Sequence, residues 1–244
     1  MKQVSPPRED PARETCSGAA DANRRALVGG SVMGILASVI GSNGLGLAQA
    51  QTIAASGGPA SDISDLWPEI DWIEDTTLRS QVIACWESAF RLSTLHPADL
   101  YNIPFSIKIP GCPVSFNAHK RCVAIVAYKS AKEMAGLFGA ALPINLDVVL
   151  AGAILADVGK LLEYEMLNGK AVMSSHGRLV KHSVSGAHLA LDAGLPDSVV
   201  HIVATHSGEG DLNERSTESW IVHHADFMCT DPFIAIAKKQ LANR

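Results

Sequence analysis

Cysteine is scarce in this chain of 244 residues: there are five, and no two form a close C-x-x-C pair. That excludes a zinc ribbon and a disulfide-stapled miniprotein. Positive charge is also in short supply, with 20 Lys and Arg against 25 Asp and Glu and a net charge of −5. Without a basic surplus to displace phosphate counterions, general nucleic-acid binding is excluded. Charged residues amount to 18% and hydrophobic ones to 47%, at a mean hydropathy of +0.15. Such a chain has ample apolar surface to bury, so it is not a disordered one. No internal repeat is present. No histidine precedes His96, and all nine lie from there onward, so imidazole chemistry belongs to the C-terminal part. The length suits one compact domain with some extra chain.

That extra chain lies at the front. Residues 1–25 are polar, carry Pro6, Pro7 and Pro11, and show neither helical nor strand periodicity. Arg24-Arg25 then opens a Gly- and Ala-rich apolar run from Leu27 to about Ala48, which closes on Ala48-Gln49-Ala50, an A-x-A cleavage pattern. The segment resembles a bacterial twin-arginine export signal, although the aromatic and lysine usual after the arginines are missing. The resemblance implies cleavage after Ala50 and a periplasmic protein that meets the membrane only in transit. An uncleaved anchor over residues 27–48 is the alternative, since about 20 apolar residues suffice to span a bilayer; a misassigned start codon is another. Cleavage would remove Cys16 and leave Cys85, Cys112, Cys122 and Cys229, an even number that an oxidising compartment permits to pair but whose spacing does not demand it. Residues 51–62, with Ser, Gly and Pro, read as a flexible linker. The folded domain is then 63–244, its core within 115–233.

The body reads as helices. Leu78, Val82, Ile83, Trp86, Ala89 and Phe90 recur at helical spacing up to Leu92. Asn117 is a candidate cap for a helix from Ala118 to Phe138, and Asn145 for one from Leu146 to about Lys160 that is apolar almost all round and therefore central. Further helices fit Ser183–Ala193, Asp197–His206, Thr217–Cys229 and Pro232–Leu241. Asn168-Gly169 signals a short hairpin. The expected class is all-α, with at most one small β-hairpin at that point.

His119, Asp157, His182, His206 and Asp226 fall on successive predicted helices. Imidazole and carboxylate are ligands for Zn, Fe, Mn or Ni, which the donor set does not distinguish, and ligands from separate helices can converge in a bundle cavity. Taken singly, each is more often a cap or a surface residue, so the surrounding sequence decides. His119-Lys120-Arg121-Cys122-Val123 is followed by Leu150-Ala151-Gly152-Ala153-Ile154-Leu155-Ala156-Asp157-Val158-Gly159-Lys160, then by His182-Ser183-Val184-Ser185-Gly186-Ala187. Gly194-Leu195-Pro196, Ile202 to Gly210, and Ile221-Val222-His223-His224-Ala225-Asp226 complete the series. In this order and spacing the segments resemble the HD-domain metal-dependent phosphohydrolase superfamily, over roughly His119 to Phe233.

The resemblance implies an HD-like helical bundle holding divalent metal. His119, Asp157 and Asp226 would serve one site, and His182, His206 and a bridging Asp157 a second. One departure matters: the position of the histidine in the His-Asp pair is Ala156, which offers no lone pair, so that ligand position is vacant and the first site is weakened unless water fills it. Asp157 and Lys160 are the catalytic candidates. Lys160, three residues beyond Asp157, faces the same side of a helix, where it can neutralise charge on a phosphate or else pair with Glu163 or Glu165. Ser115 and Asn117 are candidates for lining the pocket. His176 and Arg178, with Lys181, form a basic cluster for an anionic substrate. His201 reads as structural, and His223, one turn before Asp226, as able to orient it.

The function implied is a metal-dependent hydrolase of a small phosphorylated or other anionic molecule. Its rivals are a catalytically impaired binding protein, or an inactivated variant, of the same fold, and a di-iron oxygenase. The last needs four histidines and two aspartates. A Gly-Tyr-Pro extension is absent after Gly210, so a cyclic-dinucleotide phosphodiesterase is not expected. Substrate identity and self-association as a homo-oligomer stay open.

Overall fold

The computed structural model describes residues 60–243; the export-signal reading falls outside them. Helix α1 (Ala60–Leu66) already occupies the end of the segment read as linker. A 3-10 turn at Pro68–Trp72 follows. It sets Trp67 face to face with Trp86, ring centroids 4.0 Å apart. Helix α2 (Thr76–Leu92) starts where the Asp75 carboxylate accepts from the backbone N–H groups of Thr77 and Leu78, and it buries Leu78, Val82, Cys85, Trp86 and Ala89, one face of a 3.6-residue period.

Helix α3 (Phe116–Phe138) is capped by Ser115, whose Oγ accepts from Ala118 N at 3.2 Å. Asn117 is therefore not the cap. It lies inside the first turn, buried, and its Nδ2 donates to Leu66 O at 2.7 Å, tying α3 to α1. Helix α4 (Leu146–Leu155) is capped by Asn145 as its sequence suggests, and from Val148 to Leu155 every residue is buried. It packs against α2, α3 and two later helices, which makes it the centre of the molecule.

The expected continuation of α4 to Lys160 does not occur. After Leu155 the chain tightens into i→i−3 bonds, with Val158 N donating to Leu155 O and Lys160 N to Asp157 O. Gly159 lies so close to the start of the helix at His182 that a Cβ would collide with the His182 carbonyl. Close packing thus ends the helix and leaves Asp157 in a turn. A single helical turn, α5 (Lys160–Glu163), leads to the antiparallel strands β1 (Tyr164–Leu167) and β2 (Lys170–Met173), in register from Tyr164 opposite Met173 to Leu167 opposite Lys170. Asn168 and Gly169, at φ 51° and 74°, form the tight turn that their sequence announces.

Helices α6 (His182–Asp192), α7 (Asp197–Thr205) and α8 (Thr217–Ala242) complete the fold. Two helices were expected in place of α8, divided before Pro232. The structure has one, with Pro232 inside it. The imino acid removes a single backbone hydrogen bond, and packing holds the axis on both sides: Ile221, Val222 and Ala225 in the main core, Phe233, Ile234 and Ala237 against Phe105 and Ile109. Among the described residues the fold is helical with one small two-stranded sheet, and no helix is long and apolar enough to cross a membrane.

Candidate metal centre

Asp157, in the turn after α4, is 1% exposed, and four helices direct polar side chains at its carboxylate. Oδ1 lies 3.0 Å from Lys160 Nζ and 3.6 Å from both His182 Nε2 and His206 Nε2. Oδ2 lies 3.6 Å from His119 Nε2 and 3.5 Å from Lys120 Nζ. The His119 Nε2 atom is also 3.1 Å from Asp226 Oδ1, on α8. Two buried triads result, Asp157–His182–His206 and His119–Asp157–Asp226, each with its ligand atoms within 4.8 Å of one another. Each uses a different oxygen of Asp157. All five residues expected to bind metal are thus brought together, and Ala156, buried beside Asp157 in the chain, adds no donor.

The local chain explains each placement. Helix starts and ends present His182 at the first position of α6 and His206 at the C-terminal cap of α7. His119 stacks on Phe105, centroids 4.1 Å apart and rings 14° from parallel. His206 Nδ1 donates to Val203 O at 2.8 Å, and the His206 carbonyl accepts from His223 Nδ1 at 2.7 Å. His223 therefore braces His206 and does not orient Asp226. With Nδ1 donating to Val203 O, Nε2 is the ring nitrogen left to meet a ligand. That atom is buried and has no hydrogen-bond partner; it faces the carboxylate oxygen Asp157 Oδ1 across 3.6 Å, too far for a hydrogen bond. An ion between them fits, because two ligands at roughly 2.1 Å in a tetrahedral shell stand about 3.4 Å apart.

Burial and neighbouring charges set the protonation of the cluster. Burial pushes the pKa values of His119 and His182 below the usual imidazole value, overcoming the pull of Asp226 and Glu163; both rings are neutral at neutral pH. Burial alone would raise Asp157, but the charges of Lys160 and Lys120 lead the groups that outweigh it and hold the carboxyl well below its ordinary range. For Asp226 burial is again opposed, here chiefly by the hydrogen bond with His119, and the net shift is downward.

Behind His182 stands Glu163, its Oε2 3.0 Å from Nδ1 and its Oε1 3.2 Å from Lys108 Nζ. Burial would raise its pKa; His182 and Lys108 bring it down to about 2. Lys160 does not pair with Glu163 or Glu165. It binds Asp157 and donates to Phe105 O at 3.1 Å.

A cleft of about 200 Å³ opens onto this centre, bordered by Lys108, Asp157, Lys160, His182, His206 and Glu209 among others. Ser115, Asn117, His176 and Arg178 do not line it. Ser115 is a helix cap, and His176 is spent on Ser185 Oγ at 2.8 Å. Arg178 is exposed. The turn holding His176 and Arg178 is tied to α5 by Ser174, whose Oγ donates to Leu162 O and accepts from Gly177 N. His201 accepts from Ser216 N, a structural role.

Three residues escaped the sequence reading: Lys120, Glu163 and Lys108. Only Lys120 carried a signal, since it shares the buried stripe of α3 with Phe116, Val123, Ala124 and Ala127. No family model matches this chain, and neither does any curated protein or solved structure.

Proposed function

We propose that this protein is a metal-dependent hydrolase of the HD-domain type, acting on a small phosphorylated or other anionic substrate. The observation that carries the reading is the unpartnered Nε2 of His206, buried and aimed at Asp157, within two His/Asp triads that share one carboxylate. His119, Asp157, His182, His206 and Asp226 are the residues able to hold metal. When bound, a divalent cation supplies an acidified water and a Lewis acid for a phosphoryl oxygen. The chain's own part is positional. Glu163 holds the His182 ring, Asp157 is kept ionised by its lysines, and Lys160 and Lys108 line the cleft with positive charge suited to an anion.

Ala156 and the ammonium of Lys120 favour a second reading, a binding protein of the same fold without turnover. A di-iron oxygenase is disfavoured by the same missing histidine.

Elemental analysis beside a panel of phosphate esters separates these readings. Metal bound in fixed proportion, with hydrolysis, and loss of both in Asp157→Ala supports the hydrolase. Metal or anion binding without hydrolysis supports the second reading. Iron with oxygen consumption supports the oxygenase, and a protein that binds no metal overturns the proposal.

A further inference from the structure

We propose that the ammonium of Lys120 stands in for one of two metal ions, so that the centre takes a single divalent cation, in the Asp157–His182–His206 triad. This rests on the metal-centre reading above. The two triads are alike in donor type but differ in what already satisfies them. In His119–Asp157–Asp226 the imidazole Nε2 is 3.1 Å from Asp226 Oδ1, so its hydrogen-bonding capacity is spent inside the triad. In Asp157–His182–His206 the Nε2 of His206 has no partner. One triad is closed on itself and the other keeps a free donor nitrogen.

Lys120 accounts for the closure. Its side chain has no solvent exposure, and its ammonium lies 3.5 Å from Asp157 Oδ2, the oxygen that faces His119. Among the described residues, that carboxylate is the one hydrogen-bond acceptor it has. Set on the buried stripe of α3, it cannot swing into water, and leaving Asp157 would strand a buried charge. A cation in this triad would meet an ammonium a few ångströms away, both drawing on the same oxygen.

Lys160 differs in each respect. It is 12% exposed, borders the cleft and keeps Phe105 O as a second acceptor, so it can yield Asp157 Oδ1 to an ion and stay solvated. Both histidines of this triad line the cleft, whereas the other triad borders it through Asp226 and the shared Asp157, with His119 and Lys120 set behind. Alanine at position 156 agrees, since a histidine has no use beside a triad whose cation is covalently part of the chain.

The test is metal stoichiometry by mass spectrometry on the full chain, equilibrated with excess Mn²⁺ or Zn²⁺ and then desalted, alongside thermal melting with and without the ion. The expected result is one ion per wild-type chain and a melting temperature raised by metal. His206→Ala loses both, whereas His119→Ala keeps the ion and the shift. Ala156→His alone stays at one ion, and Ala156→His combined with Lys120→Met rises to two. The single-histidine variants carry the test even if the Lys120 variant fails to fold. Two ions per wild-type chain, or loss of the ion in His119→Ala with retention in His206→Ala, overturns this inference and leaves the hydrolase reading standing. No ion in any of them overturns both.

Discussion

Glu163 is a single buried carboxylate placed to orient the ring of His182. It has 1% exposure, a neighbouring imidazole at 3.0 Å and a half-exposed lysine at 3.2 Å. In metal sites such a group fixes the tautomer and aim of the ligating ring, and its loss typically weakens metal binding about 10- to 100-fold. Glu163→Gln is therefore expected to raise the Kd for metal by that factor, read by titration with a chromophoric chelator, with the helical circular-dichroism signal unchanged. The same residue gives a pH prediction. Its folded pKa of about 2 lies below the ordinary value of 4.5, so the carboxylate binds fewer protons in the folded state. Its contribution to stability is complete above pH 4.5 and fades as pH falls toward 2. Melting temperatures measured across that window should fall more steeply for the wild type than for Glu163→Gln; parallel curves would refute the assignment. None of this was visible in the sequence, where Glu163 was only one of two acidic residues near Lys160.

Between elements, α3 and α8 meet twice. His119 faces Asp226, and one turn further along each helix Cys122 and Cys229 stand with their sulfurs 3.4 Å apart. Oxidised glutathione is expected to convert the pair to a disulfide by exchange, the chain losing two hydrogens and the glutathione leaving as two thiols. Non-reducing peptide mapping will show the linked fragment, absent in Cys122→Ser. Ser115→Ala tests a different join. As the N-cap of α3, and not a wall of the cleft, Ser115 should cost about 1 kcal/mol of stability when replaced, seen in a urea melt, with metal affinity unaltered. Helix starts were the most legible features at this scale, because a cap and an apolar stripe are local. The start at Asn145 was read correctly from its own residues, whereas Ser115 and Asn117, both capable caps two residues apart, could be separated only by the contact of Asn117 with α1. Helix ends were harder, as the stop after Leu155 is imposed by the approach of α6.

For the whole molecule, the apolar run before Ala50 and the folded body are separate problems. If the front is an export signal, the mature protein recovered from the periplasm begins near Gln51, and Edman sequencing of that fraction will show it. An intact Met1 in the soluble cytoplasmic fraction contradicts the reading.

The order of His119, Asp157, His182, His206 and Asp226 along a helical chain, and the hairpin at Asn168-Gly169, were determined by the sequence itself, because periodicity, caps and turn residues act over a few positions. Which atoms face one another was decided only by the tertiary structure. The burial of Lys120, the division of Asp157 between two triads, the bracing of His182 by Glu163 and the exclusion of His176 from the cleft all arise from groups distant in the chain. Charge and desolvation depend on those neighbours, and no local pattern encodes them.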